Sequence, residues 1–440
     1  MRFIITLTLF LGLSFSSLIA QTAEEGLPIL SLEEAIEIGL VNNYSIRIAK
    51  VNEEIATTNN NAGNAGFLPR VTANGSLNYT SSNTRQQFFS GDERSGVGAG
   101  NTQARAGIGL TWTAFDGFRM FAARDRLQLS EDRSKTFTKS EMQDLVTTIQ
   151  SAYYGLARIK QQIGIVEQSI QLNKSLLELA EAKLKIGTGT SLDVLQTSNN
   201  LNADSSSLLN LKDQFQQSAI GMNRLIGRSP DIQYEVTADL PSVILPSYDE
   251  LQNAAIQNNY ALSLLGYDEK IALAQIREVR SGLFPTVDLN AGMNYNYSKA
   301  EVGFLLSNRS YGPTVGVSFN YDLFPGRNIK KDIQVAEKVK ENILLQKADL
   351  SLQVSSELMQ LYKQYLALER LKELEKGNIL TAEKNVALAS ELYRSGRATS
   401  LDVREAILGE TRVRDRLSDV EFRQKLTEIN IKNLTGMVFM

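Results

Sequence analysis

The residue types that most often carry enzymatic chemistry are missing from this chain. Its 440 residues include no cysteine and no histidine. Thiolate, imidazole and Ser-His-Asp catalysis are therefore excluded, as are the usual zinc sites, because all of them need those side chains. A carboxylate-dependent hydrolase of the cell envelope would have to rely on acidic pairs alone. The sequence shows no cluster of acids with a surrounding fold signature, so we predict no enzymatic activity, no cofactor and no metal site.

Acidic residues recur instead just after two similar glycine-containing turns. The tetrapeptide Ser191-Leu192-Asp193-Val194 returns as Ser400-Leu401-Asp402-Val403, and a glycine precedes each copy. A glycine can end one helix, and a serine or threonine can cap the next. Asp193, Asp402 and Glu405 would then lie in the first turns of the second helix, where acidic side chains favour the helix dipole. Capping alone could account for them, so their role depends on the elements that position them.

Those elements occur twice along the chain. Ser31 to Tyr44 aligns without a gap on Ser247 to Tyr260, and both segments end in Asn-Asn-Tyr. Later landmarks keep the same order, including Gly117 with Gly326 and the two Ser-Leu-Asp-Val copies. We therefore predict a tandem internal repeat, with halves at 21–228 and 247–440 and a linker at 229–246.

Two long proline-free runs predict very long helices. Proline costs about 3 kcal/mol inside a helix, and none occurs from Phe118 to Ser229 or from Gly326 to Met440. In the first run apolar residues repeat with heptad spacing, interrupted at Asn173, which is typical of a coiled-coil seam. The predicted helices, besides one near the start of each half, lie at 118–186, 191–226, 327–395 and 400–434. The first would be about 100 Å long at a rise of about 1.5 Å per residue.

Four segments alternate between apolar and polar residues and predict strands at 69–80, 104–115, 285–298 and 313–324. Such alternation suits a soluble sandwich as well as a membrane barrel. The length of about ten residues, and polar faces rich in Asn, Ser, Thr and Gly, favour strands that cross a membrane around water. Four strands cannot close in lipid, because open edges leave backbone groups unsatisfied. Two copies would give eight strands around a filled interior, whereas three would give twelve strands with room for a channel.

The beginning of the chain has the pattern of a secretory signal. Residues 1–20 combine Arg2, an apolar run and the small residue Ala20, so we expect a signal peptide cleaved before Gln21. Without cysteine, the mature chain cannot be acylated on one. A net charge of -3 gives no support for nucleic-acid binding, which usually shows as a basic domain.

The tandem halves, the two strand pairs, the long helices and the repeated Gly-x-x-x-Ser-Leu-Asp-Val turn resemble the TolC-like outer-membrane efflux proteins. The resemblance covers essentially all of 21–440. It implies an α+β membrane protein and a homotrimer. Its 12-stranded β-barrel, with four strands per subunit, would continue into a long periplasmic α-helical coiled-coil barrel, with 229–246 as an equatorial linker.

The same resemblance implies the function and the partners. The chain would be the outer-membrane channel of a tripartite efflux or type I secretion system that conducts its cargo passively. Its partners would be a periplasmic adaptor (membrane fusion) protein, an inner-membrane pump of RND, ABC or MFS type, and outer-membrane lipid. Drugs, metal ions and proteins all remain open as cargo. A secreted or surface structural coiled-coil protein is the alternative, which would explain the heptads but not the four alternating strands.

The resemblance also assigns residues. The periplasmic tips that dock on the adaptor would be formed by Gly187, Thr188, Gly189, Thr190, Ser191, Leu192, Gly396, Arg397, Ala398, Thr399, Ser400 and Leu401. The residues that narrow the closed pore would be Asp193, Tyr393, Arg397, Asp402 and Glu405. The family's gating arginine falls on Ala398, and Arg397 lies one residue earlier.

Overall fold

A computed structural model of the protein describes residues 27–438, so the predicted signal peptide lies outside the described residues. The chain forms two short helices, two strands and two long helices, and then the same series again. The first series is α1 (Leu32–Asn42), α2 (Tyr44–Asn59), β1 (Arg70–Gln87), β2 (Glu93–Phe115), α3 (Arg119–Lys185) and α4 (Ser191–Leu225). The second is α5 (Tyr248–Asn258), α6 (Tyr260–Arg280), β3 (Thr286–Ala300), β4 (Ser307–Asn320), α7 (Asn328–Arg394) and α8 (Ser400–Thr435), with a 3-10 turn at Ser281–Leu283.

The single short helix predicted at the start of each half is wrong, because an asparagine divides it into two. Asn43 ends α1 in an extended conformation and caps α2, accepting hydrogen bonds from the backbone N–H of Ser45 and Ile46. Its amide also donates to the carbonyl of Leu225 at 2.7 Å. Asn259 divides α5 from α6 in the same way and donates to the carbonyl of Leu434 at 3.1 Å. The repeated Asn-Asn-Tyr therefore marks a helix break that is tied to the end of a long helix.

The four strands form one antiparallel sheet in the order β1-β2-β3-β4. The first hairpin is longer than predicted, since residues 81–87 pair with 93–100 across a bulge between Ser82 and Thr84. The polar side chains in this part of the hairpin give no sequence signal for a strand. The backbone nevertheless forms a regular ladder of hydrogen bonds, which does not require apolar side chains. The strand predicted at 313–324 is also displaced, because β4 runs from Ser307 to Asn320 and ends opposite Thr286, just after Pro285.

The sheet exposes its apolar side and both of its edges in a single chain. The apolar residues that alternate along β1 and β4 are between 64% and 86% exposed, as seen for Val71, Leu77, Tyr79, Val315 and Val317. Within residues 27–438, the outer edges of β1 and β4 pair with no other strand. Pro313 lies in β4, where an edge position tolerates its missing N–H. A soluble sandwich would cover such a face with a second sheet. The exposed apolar face therefore indicates contact with an apolar environment outside the single chain.

The long helices pack as two antiparallel hairpins, α3–α4 and α7–α8. The predicted seam positions Ile149, Leu156 and Ile170 are buried in α3, and Leu358, Tyr365 and Leu368 are buried in α7. In the middle of α7, Glu375 breaks the apolar series and accepts both guanidinium hydrogen bonds of Arg416 on α8, at 3.0 and 3.1 Å. At this position the contact between α7 and α8 is therefore a charged pair instead of an apolar one.

The segment 229–246 runs between the halves without a helix or strand of its own. Tyr234 is buried and donates its hydroxyl hydrogen to the carbonyl of Ala219 at 3.0 Å. Glu235 forms a parallel bridge with Ile29. The linker is thus packed onto the long helices. Among the described residues, no helix is both long and apolar enough to cross a membrane.

Candidate functional site

The turn between α3 and α4 ends one helix and begins the next within a few residues. Gly187 adopts a left-handed conformation, with φ of +80°, which a residue with a Cβ adopts only at a cost. The N–H groups of Thr188 and Gly189 donate to the carbonyl of Lys183 at 2.9 and 3.0 Å, so this carbonyl in the last turn of α3 is satisfied. Thr190 caps α4 by accepting from the N–H of Asp193 at 3.1 Å. The predicted tip is therefore a compact helix-hairpin turn.

The turn between α7 and α8 has the same construction. Gly396 has a φ of +78°, and the N–H of Arg397 donates to the carbonyl of Leu392 at 2.8 Å. Thr399 caps α8 in a capping box, since its hydroxyl accepts from the N–H of Asp402 while the Asp402 carboxylate accepts from the N–H of Thr399 at 2.7 Å. The Thr399 N–H and hydroxyl both donate to the Asp402 carboxylate, and these two bonds hold the pKa of Asp402 below its usual value.

A carboxylate joins the two turns to each other. Asp193 of α4 accepts a hydrogen bond from the Ser400 hydroxyl of α8 at 2.7 Å, and a second from the Thr190 hydroxyl at 2.9 Å. The Ser400 bond is the main reason that the pKa of Asp193 lies below its usual value, with the Thr190 bonds adding to it. Asp193 therefore binds the capping residue of its own helix and forms a contact between the two helix hairpins.

Tyr393 forms a second contact between the hairpins. It is 4% exposed and packs with Leu176 of α3 and Val403 of α8 in an apolar cluster behind the tips. Lys183 of α3 lies 3.9 Å above the centre of its ring and donates to its backbone carbonyl. Burial raises the pKa of the Tyr393 hydroxyl, and the Asp193 charge raises it further. Sequence reasoning predicted Tyr393 but missed Lys183.

The other predicted gate residues lie on the surface of the single chain. Asp402, Glu405 and Arg397 are exposed, and Ala398 packs partly against the apolar cluster. In the part of the chain that the structure describes, Arg397 forms no salt bridge within the subunit, and no His, Cys, Asp or Glu cluster is arranged to hold a metal. The structure thus brings Asp193, Tyr393 and Ser400 together and leaves Arg397, Asp402 and Glu405 facing outward.

A buried polar cluster, which sequence reasoning missed, lies further along the same helices. Arg404 of α8 donates two hydrogen bonds to the Asp204 carboxylate of α4, at 2.9 and 3.0 Å. Ser169 and Asn173 of α3 donate to the same carboxylate, each at 2.7 Å. Burial alone would raise the pKa of Asp204, but these donors outweigh it and hold the pKa below its usual value. The sequence feature that could have indicated this cluster is Asn173, which interrupts the heptad seam.

Comparison with known proteins places this geometry in a family. The family model described as outer membrane efflux protein matches residues 35–228 and 251–437. The chain is 22% identical over 430 residues to the probable efflux pump outer membrane protein TtgC of Pseudomonas putida, covering 92% of this chain and 83% of that protein. It is 20% identical over 424 residues to the proteases secretion protein PrtF of Dickeya chrysanthemi, covering 92% and 88%.

A solved structure shares the fold. The outer-membrane channel OprN superposes with a TM-score of 0.75 at 17% sequence identity, over 92% of this chain and 89% of that one. The two matched segments together span both hairpins, both strand pairs and both tips. The chain therefore belongs to the outer membrane efflux protein family.

Proposed function

We propose that three copies of this chain assemble into one channel, with a shared twelve-stranded barrel in the outer membrane that continues into a periplasmic tube of helices. The observation that carries this proposal is the four-stranded sheet, which has two unpaired edges and an exposed apolar face. Unpaired edges are unstable in lipid, so β1 of one copy is expected to pair with β4 of the next until the ring closes. Three is the smallest number of copies that leaves a water-filled interior.

Within this channel the chain acts as a passive duct without chemistry of its own. The relatives support such a role, since one is named for an efflux pump and another for the secretion of proteases. One duct can serve both when a separate pump selects the cargo and supplies the energy. The tips at 187–192 and 396–401 are the proposed docking points for a periplasmic adaptor, and an inner-membrane pump of RND, ABC or MFS type is the proposed energy source.

The tips also form the proposed gate. In the proposed trimer the three tips meet near one axis, and Asp402 and Glu405, which are exposed in the first turns of α8, would lie around it in three sets. Like charges at close range are costly unless cations or hydrogen-bond donors neutralise them. The mouth would therefore be acidic and bind cations. Asp193 and Tyr393 would keep it narrow by holding the two hairpins together.

Measuring the mass of the purified protein tests the assembly. In mild detergent we expect three times the mass of the mature subunit, measured by light scattering with the detergent subtracted. A clean monomer or dimer would overturn the shared barrel. Fractionation of cells separates the alternative, because a surface coiled-coil protein would leave the membrane without detergent, whereas this channel would require it.

A further inference from the structure

The first turns of α8 have two faces with different roles. Asp402 and Glu405 are exposed, whereas Arg404 between them is 9% exposed. Residues three apart lie on one side of a helix, and the residue between them points elsewhere. Any contact that fixes the direction of the Arg404 side chain therefore also fixes the direction in which the two acids point.

The side chain of Arg404 is held in one orientation by its hydrogen bonds and its low exposure. Its guanidinium makes a bidentate pair with Asp204, and the two side chains are only 10% and 13% exposed. Ser169 and Asn173 donate to the same carboxylate, both to the oxygen that accepts from Nη1 of Arg404. Two parallel hydrogen bonds define an orientation as well as an energy, and low exposure strengthens their electrostatic part. Arg404 cannot rotate away without breaking both of its hydrogen bonds to Asp204.

The pair joins the two helix hairpins rather than the two helices of one hairpin. Asp204 belongs to α4 and Arg404 to α8, and Ser169 and Asn173 lie on the intervening α3. Asn173 occupies a position of the coiled-coil seam that an apolar residue would normally fill, and it is fully buried. A polar residue in a seam lowers stability but selects one arrangement of the helices. Here its amide NH2 group donates to Asp204 and Ser169.

We propose that Arg404 is a positioning residue for the gate: by binding Asp204 it holds the first turns of α8 in the rotation that directs Asp402 and Glu405 into the pore, and its release accompanies opening. This inference rests on the proposed gate. It adds a contact set within each subunit, behind the tips, that must break when α8 moves against the α3–α4 hairpin.

Single-channel recording in planar bilayers tests the proposal with Arg404→Met and Asp204→Asn. Each change removes one partner of a nearly buried pair, so we expect open probability to rise about tenfold or more in either variant. Block by a trivalent cation should weaken in parallel, because the acids lose their common direction. The double variant should resemble the singles, since groups that act as one unit are not additive.

Arg414→Met is the matched control. Arg414 is also an α8 arginine with two carboxylate partners, but Glu410 and Glu383 both belong to its own hairpin. We expect it to lower thermal stability while leaving open probability and cation block unchanged. Equal effects of Arg414→Met and Arg404→Met would show that both are merely structural and would overturn the proposal. Should Arg404→Met yield no trimer, Asp204→Asn, which keeps the shape of the side chain, carries the same test.

The failure of the gate and the failure of the positioning residue give different results. Wild-type open probability and cation block in Arg404→Met and Asp204→Asn, together with altered conductance and block in Asp402→Asn/Glu405→Gln, would overturn the positioning role and retain the gate. Unchanged conductance and block in Asp402→Asn/Glu405→Gln would overturn the gate, and the positioning role with it.

Discussion

At the scale of single residues, the aspartates near the tips make contacts that stabilise the helix ends within one subunit. Asp402 completes a capping box with Thr399, and Asp193 bonds to Thr190 and to Ser400 of the other tip. Both have a lowered pKa, so both carry their charge at neutral pH. Helix capping and pore charge are therefore compatible in one side chain, and an alanine substitution would remove both at once.

Neutral replacements that retain capping separate these two roles. In Asp402→Asn/Glu405→Gln we expect a larger single-channel conductance and a Kd for multivalent-cation block that rises about tenfold, equivalent to about 1.4 kcal/mol. Asparagine preserves a polar side chain that can bond to the backbone, so the helix start should remain intact. Glu167→Gln is the control, because Glu167 is exposed on α3 and pairs only loosely with Lys212, at 3.7 Å. If both variants behave alike, the tip acids are capping residues and nothing more.

At the scale of elements, each long hairpin carries an exposed leucine just past its turn. Leu192 is 62% exposed and Leu401 is 66% exposed, while Val403 close by is buried. Large apolar side chains at the apex of a helix hairpin suit a docking contact, since burying one contributes about 1.5–3 kcal/mol. They project from turns whose backbone is already satisfied internally.

Charged substitutions there should separate docking from conduction. We expect Leu192→Asp and Leu401→Asp to abolish export from cells, because a buried carboxylate without a partner opposes adaptor binding. Their conductance in bilayers, where no adaptor is present, should stay close to that of the wild type. Gln196→Asp places the same charge one turn further along the exposed side of α4 and should still support export. Loss of conductance in the leucine variants would show that the turns themselves had changed.

At the scale of the whole molecule, the sheet and the tips lie at opposite ends of the long helices. Each of α3 and α7 has 67 residues, which corresponds to about 100 Å. The hairpin turns between β1 and β2 and between β3 and β4 point away from the helices, because the other ends of these strands lead into α3 and α7. In an outer-membrane channel those turns are expected to face the outside of the cell.

Thiol labelling of intact cells tests this topology on a chain that has no cysteine of its own. We expect Ser90→Cys and Leu306→Cys, both at exposed positions of the strand turns, to react with an impermeant maleimide. Leu192→Cys at the tip should react only after the outer membrane is opened. Labelling of the tip but not of the strand turns on intact cells would reverse the topology.

The sequence alone determined the features that depend on local backbone preference. Proline-free heptad runs predicted the long helices, and the paired Gly and Thr-Ser positions predicted both tip turns, because helix propagation and capping involve residues a few positions apart. Period-two alternation predicted the existence of four strands, though not their ends. The pairing of 81–87 with 93–100 is a contact between strands, which a polar composition does not reveal.

Only the tertiary structure decided which side chains meet across the hairpins. Ser400 reaches Asp193, and Arg404 reaches Asp204, although each pair is separated by about half of the chain. Asn43, at the break between α1 and α2, likewise donates to the distant carbonyl of Leu225. A sequence pattern records which residues share a helix face, but the partner on another helix is selected by how the long helices pack against each other. In the sequence, Asn173 indicates only that the seam lacks an apolar residue at this position. In the structure, the packing of the helices places the Asp204–Arg404 pair beside it.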